Sequence, residues 1–275
     1  MTNKKHRAFI CGIKGLHLSK KEIFFLKKYK PWGIILFSRN IKSIKQVQNL
    51  THSIKKLFNN YNFPILIDEE GGRVSRLNNF IDNSIFSAKY FGDLFLKNRK
   101  KFNLYFSVYV KQISYLLKTL GININTVPVL DIRRKTSNMI ISDRAYSEKV
   151  KIISKIGDIC IQKFHQNRIG TVIKHIPGHG LANVDSHKKL PIINKNINYL
   201  LKNDFYTFKN KNSLIAMTGH LLFNKIDPKY NVTYSKKINK LIRNYIGFKN
   251  LIITDDLSMK ALKETLSQRV KMSFI

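Results

Sequence analysis

Thr171-Val172-Ile173-Lys174-His175-Ile176-Pro177-Gly178-His179-Gly180 reads as a short apolar strand that runs into a polar turn containing glycine. Its β-branched start suits a pleated strand buried on both faces. Residues 147–166, just before it, read as a helix. The same order recurs along the chain. Strands are expected over residues 8–12, 32–37, 64–68, 123–127, 171–174, 214–218 and 251–254. Helices are expected from Ser19, where Ser19 and Glu22 make a capping box, and over 43–58, 100–120, 147–166, 199–209 and 235–246. A further helix is expected from near Ser258 to the end of the chain.

Short apolar strands alternating with amphipathic helices specify an α/β fold with a parallel sheet. Seven such strands in 275 residues point to the (β/α)8 TIM-barrel type, a fold that typically takes about 250 residues. An eighth β/α unit is not visible at the C-terminus. An open doubly wound sheet is the competing architecture, but Gly12-Ile13-Lys14-Gly15 is a poor version of its glycine-rich phosphate turn. No stretch rich in Pro, Gly or Ser divides the chain, so residues 1–275 are expected to form one domain.

Hydrophobic residues make up 43% of the chain and aromatics 11%, enough for a packed core rather than a disordered chain. The basic start, Met1 to Arg7, leads into an apolar segment too short for a signal peptide. No apolar run approaches the roughly 18 residues that a membrane span needs. The cysteines, Cys11 and Cys160, fall in a strand-like and a helix-like segment without C-x-x-C spacing. A soluble cytoplasmic protein is expected, with no membrane partner. Lys+Arg total 50 against 16 Asp+Glu, a formal charge of +34. Such a charge attracts polyanions. Its lysines are nevertheless spread over helix faces, as at Lys20, Lys21, Lys27 and Lys28, and form no basic arm. Enrichment of Lys, Asn and Ile together is the mark of AT-rich codons. Nucleic acid is therefore not an expected partner.

Polar chemistry collects where the strands end, the face on which barrel enzymes build their sites. After the third strand comes Asp68-Glu69-Glu70-Gly71-Gly72-Arg73-Val74-Ser75-Arg76. Carboxylates and guanidinium groups there can hold sugar hydroxyls by charge-assisted hydrogen bonds. Three histidines, a lysine and an aspartate fall within fourteen residues between Lys174 and His187. One reading is a metal site built from His175, His179 and Asp185, although zinc sites usually show tighter ligand pairs. The other is a dyad in which Asp185 orients His187, an imidazole able to act as acid and then as base. The seventh strand delivers Asp255 and Asp256. A carboxylate leaving an apolar strand is well placed to attack an anomeric carbon. Asp256 or Ser258 is expected to cap the helix that follows Leu257.

Taken together, these segments resemble the family 3 glycoside hydrolases, specifically the bacterial β-N-acetylglucosaminidase branch that trims cell-wall fragments. The resemblance runs through Ile67–Val74, Pro128-Val129-Leu130-Asp131 and Asp143-Arg144-Ala145-Tyr146. It continues through Lys174–Gly180 with Asp185-Ser186-His187, then Met217-Thr218-Gly219-His220 and Thr254-Asp255-Asp256-Leu257-Ser258-Met259. It implies a retaining double displacement, with Asp255 as nucleophile and His187, supported by Asp185, as acid and base. Asp68, Arg76, Arg144, Lys174 and His175 match positions that hold N-acetylglucosamine in relatives. The implied partner is a muropeptide, N-acetylglucosamine on anhydro-N-acetylmuramic acid, in peptidoglycan recycling. A monomer with no metal and no cofactor is expected. Two departures stand out. Relatives carry an eighth β/α unit with an Ala-Gly-Cys-Asp-like strand entry, so a premature stop or frameshift is expected here, with an unpaired edge on the first and seventh strands. Tyr245 and Asn250 stand where relatives tend to have a charged residue and Gly. An inactive sugar-binding remnant of such an enzyme is the alternative reading.

Overall fold

A computed structural model describes residues 6–134, 140–186 and 188–274. In chain order its strands are β1 (Arg7–Gly12), β2 (Pro31–Leu36), β3 (Ile65–Ile67), β4 (Ile124–Asn125), β5 (Gly170–Ile176), β6 (Ile192–Ile193), β7 (Ile215–Thr218), β8 (Leu222–Phe223) and β9 (Leu251–Thr254). The helices are α1 (Lys20–Tyr29), α2 (Ile44–Phe58), α3 (Ala88–Lys97), α4 (Arg99–Thr119), α5 (Val150–Gln166), α6 (Ile197–Lys202), α7 (Lys236–Leu241) and α8 (Leu266–Ser273). Seven strands form one parallel sheet in the order β1-β2-β3-β4-β5-β7-β9, while β6 and β8 pair separately. This is the barrel-type sheet expected, curled but open. Among the described residues nothing pairs β9 with β1, so the barrel is incomplete.

The sheet buries both faces. On the inside, Leu66, Ile124, Val172, Ile215 and Met217 pack together, with Ile10, Trp32, Ile35 and Ile253 half-buried against them. On the outside, the helices seal a larger core that includes Phe91, Phe95, Phe102 and Phe106. Each fully buried side chain of this size contributes about 1.5–3 kcal/mol. Burial falls off toward the open seam: Leu66 is 0% exposed in β3, whereas Leu251 is 43% exposed in β9.

The central strands are short, and asparagines extend their pairing. Asn123 accepts the Ile65 N–H at 2.8 Å. Asn125, fully buried, donates to the Glu69 carbonyl at 2.8 Å and accepts the Glu69 N–H at 3.0 Å. One amide side chain thus stands in for a peptide unit and fixes where the acidic turn after β3 begins.

The helix ends are largely those expected. Ser19 accepts the Glu22 N–H at 3.2 Å while Glu22 accepts the Ser19 N–H at 2.9 Å, completing the capping box. Residues 199–209 were expected as one helix; instead α6 stops at Asn203, and a single 3-10 turn covers Tyr206–Phe208. The 235–246 helix opens on Ser235 as expected, but its second half, Ile242–Ile246, winds as a π-turn into left-handed Gly247. No helix begins near Ser258. The Asp256 carboxylate accepts the Ser258 N–H at 2.7 Å and closes a turn, so α8 starts only at Leu266 with Thr265 as its cap. Helix α3 was not anticipated. Ser87 caps it, and Phe91 and Phe95 bury one side.

That burial requires Gly92. A Cβ there would lie 1.6 Å from the Tyr146 carbonyl oxygen. Alanine would gain about 1 kcal/mol of helix propensity, far less than such overpacking costs. Gly92→Ala is therefore expected to destabilise the fold by about 3 kcal/mol or more, read as a lowered urea midpoint in circular dichroism.

Candidate active site

Because the seven strands are parallel, their C-terminal ends lie together along one end of the sheet. The acidic turn after β3 separates there into three different roles. The Asp68 carboxylate receives the Lys174 ammonium at 3.0 Å and the Thr126 hydroxyl through a short hydrogen bond. Glu70 takes Lys174 at 2.7 Å and a bidentate fork from Arg144, both contacts at 2.8 Å. Glu69 turns away from this cluster. It accepts Ser75 Oγ and the backbone N–H groups of Arg76 and Leu77 on one oxygen, and Asn83 on the other. Glu69 therefore ties down the loop, while Asp68 and Glu70 face the cations.

Buried charges persist only when paired, and this cluster meets that condition. Burial alone would push the Glu70 carboxyl up; Arg144 and Lys174 overcome it and hold Glu70 far below the usual carboxylate range. Burial likewise opposes the charge on Lys174, but Asp68 and Glu70 keep its ammonium above its ordinary value. Arg144 is raised in the same way, chiefly by Glu70 against burial. Arg76 lies at the rim, its guanidinium 3.7 Å from Asp68.

The turn after β5 is organised by a residue to which the sequence reading gave no role. Asp131, following β4, is buried and accepts His175 Nδ1 at 2.7 Å and the His179 N–H at 2.6 Å. Its carboxyl would be raised by burial but is held below its usual range, first by His175. His179 Nε2 lies 3.1 Å from Ser186 Oγ, and its Nδ1 has no partner among the described residues. Gly219 makes room for both rings: a Cβ there would lie 3.0 Å from His179 Cδ2 and 3.1 Å from His175 Cβ. Asp131 and Ser186 each engage one ring nitrogen of these histidines, and among the described residues no group of three or more His, Cys, Asp or Glu side chains is gathered to hold a metal ion.

Asp255 is half-buried just beyond β9. Its N–H donates to the Thr218 carbonyl at 3.0 Å, and its Oδ1 accepts the Asp256 N–H at 2.8 Å. Burial pushes its carboxyl up, but His175 and His220, with the Asp256 N–H and Lys174, outweigh it, so Asp255 is held below the ordinary aspartate value. Asp185 is half-buried, and its backbone carbonyl accepts the Lys188 and Lys189 N–H groups at 2.9 and 2.8 Å. His187 lies outside the described residues. Asp68, Arg144 and Lys174 thus form one set joined through Glu70 with Arg76 at its edge, His175 belongs to a second set around Asp131, and Asp255 lies within electrostatic reach of both. From sequence, Glu70 was one undistinguished carboxylate of the acidic turn, His179 a candidate metal ligand only, and Asp131 and His220 had no assigned role. Asp131 carried a usable signal, since it directly follows the apolar run Val129-Leu130 at a strand end.

The Glycosyl hydrolase family 3 N terminal domain profile matches residues 12–273. The beta-hexosaminidase of Haemophilus ducreyi is 32% identical over 262 residues, 91% of this chain and 73% of that protein. Beta-hexosaminidase A of Pseudoalteromonas piscicida is 28% identical over 264 residues, and this chain spans 43% of its length. Among solved structures, NagZ from Neisseria gonorrhoeae in complex with N-trifluoroacetyl-D-glucosamine superposes with a TM-score of 0.83 at 25% identity. That alignment covers 98% of this chain and 79% of the NagZ chain.

The buried imidazole gives the site a pH signature. Burial and the neighbouring His175 push His179 down from 6.5 to about 4. A group whose folded value is depressed stabilises the fold above its unfolded value and loses that contribution as pH falls toward the folded one. Unfolding free energy should therefore drop by on the order of 3 kcal/mol through this group between pH 6.5 and pH 4. Urea titrations across that window are expected to show a shallower slope for His179→Gln than for the parent chain.

Proposed function

This chain belongs to the glycosyl hydrolase family 3 N-terminal domain family, and from that membership we propose that it is a retaining β-N-acetylhexosaminidase acting on terminal β-linked N-acetylglucosamine. The observation that carries the reading is Asp255, a carboxylate kept ionised at the end of an apolar strand beside a preorganised cluster of Asp68, Glu70, Arg144, Lys174 and His175. Positioned donors and acceptors of this kind bind sugar hydroxyls and an acetamido group without reorganising when the substrate arrives.

In the proposed reaction, Asp255 Oδ2 attacks the anomeric carbon as the bond to the leaving oxygen breaks. Oδ2 is the oxygen for that step because Oδ1 is engaged by the Asp256 N–H. His187, polarised by Asp185, passes its proton to the departing oxygen. It then takes a proton from water as that water displaces Asp255 from the anomeric carbon. Two inversions return the β configuration, and water is the only co-reactant. Asp68, Arg76, Arg144, Lys174 and His175 are assigned to holding the sugar.

The finer substrate in this proposal is a peptidoglycan fragment, N-acetylglucosamine on anhydro-N-acetylmuramic acid bearing an acidic peptide, cleaved in the cytoplasm by a single-domain monomer. The formal charge of +34 favours encounter with an anionic substrate. No helix among the described residues is long and apolar enough to cross a membrane.

Hydrolysis of 4-nitrophenyl β-N-acetylglucosaminide by the purified chain tests the reading. Asp255→Ala should lose at least about 10³-fold in kcat/KM, and Asp185→Ala or His187→Ala about 10²–10⁴-fold. Full turnover by Asp255→Ala would remove it as nucleophile. A folded parent chain that binds N-acetylglucosamine without turnover would favour the inactive sugar-binding remnant.

A further inference from the structure

His220 is fully buried behind the turn that carries Asp255, and it makes two hydrogen bonds that fix its chemistry. Its Nε2 lies 3.0 Å from the Asp256 carbonyl oxygen and its Nδ1 lies 2.6 Å from Thr233 Oγ1. A carbonyl oxygen can only accept, so Nε2 carries the hydrogen. The Thr233 hydroxyl then donates to Nδ1, and the ring is held as one neutral tautomer. Burial favours that neutral form and lowers its basicity, against the pull of Asp255 and the Asp256 carbonyl.

The geometry points to His220 as a positioning residue for the nucleophile, fixing the Asp255–Asp256 turn through the Asp256 carbonyl while Thr233 fixes His220. This inference rests on the reading of Asp255 as nucleophile. The Asp256 carbonyl also accepts the Met259 N–H at 3.1 Å, so His220 and Met259 grip the same oxygen. Asp255 is held from its other side by its own N–H on the Thr218 carbonyl and by Oδ1 on the Asp256 N–H. Without His220 the Asp256 carbonyl is held by Met259 alone, so Asp256, whose N–H orients Oδ1, is less firmly placed and Oδ2 loses its aim. A reacting atom misplaced by about 1 Å can cost on the order of 10²-fold in rate. Sugar binding depends on other groups, Lys174, His175 and Arg144, none of which hydrogen-bonds His220.

The test is the rate of covalent labelling by a 5-fluoro-N-acetylglucosaminyl fluoride, read by intact mass, together with kcat and KM on the 4-nitrophenyl substrate. His220→Phe is expected to label about 10²-fold more slowly with KM within about threefold of the parent. His220→Gln, whose amide nitrogen can reach the same carbonyl, should recover to within about tenfold of the parent. Thr233→Val, which removes only the hydroxyl, should label about tenfold more slowly, and it keeps the test decisive if the Phe variant does not fold. Parent-like labelling by both His220→Phe and Thr233→Val would overturn the inference. So would a His220→Phe defect confined to KM, or a folded Gln variant as slow as Phe. Asp255→Ala separates the two readings: if it labels normally the nucleophile assignment fails, whereas an unlabelled Asp255→Ala beside parent-like His220 variants overturns the positioning role alone.

Discussion

Lys174 is buried at the end of a strand, and much of the site follows from that fact. An ammonium taken out of water needs anionic partners close at hand. Asp68 and Glu70 provide them from β3's end, at 3.0 Å and 2.7 Å. Two carboxylates beside one cation leave negative charge over, and the Arg144 fork on Glu70 balances it. The turns after β3 and β5 and the segment around Arg144 are thereby held together by one electrostatic requirement. The hydrophobic layers beneath decide that the strand ends meet; this cluster decides how their side chains face once they do.

A second layer holds the polar groups in place without facing the cluster. Asn125 copies a peptide unit beside Glu69, Glu69 gathers the loop behind it, and Asp131 fixes His175 and the backbone of His179. His220 and Thr233 do the same behind Asp255. These supports are buried side chains at fixed distances from backbone groups, so their effect is geometric and largely independent of solvent.

How much of this was legible follows from how local each signal is. The seven sheet strands could be read because each is a short β-branched run, and their parallel order follows from the helices between them. The candidate residues at strand ends could be read because polar groups directly after an apolar strand are conspicuous. Glu69 and Glu70 could not be told apart: they are adjacent and chemically alike, and only the partners Arg144, 74 residues from Glu70, and Asn83 distinguish them. The same holds for His220, whose role depends on Thr233 and on a carbonyl 36 positions away. The helix expected near Ser258 failed because Asp256 spends its side chain on a two-residue turn rather than a cap. Helix α3 carried local signals, the Ser87 cap and the four-residue spacing of Phe91 and Phe95, but Gly92 between them reads as a helix breaker until its contact with Tyr146 is seen.

The open seam leaves the sheet with unequal ends. Strand β9 pairs with β7 on one side only among the described residues, and its first residue is substantially exposed. Lys174 and His175 belong to β5, hydrogen-bonded between β4 and β7. Resistance to local opening rises with the number of paired, buried neighbours. The strand leading to Asp255 is therefore a looser support than the strand that carries the proposed sugar-binding cations. Among the described residues the two ends of the sheet therefore differ in local stability, so the buried cluster on β5 and the turn after β9 can move independently of one another.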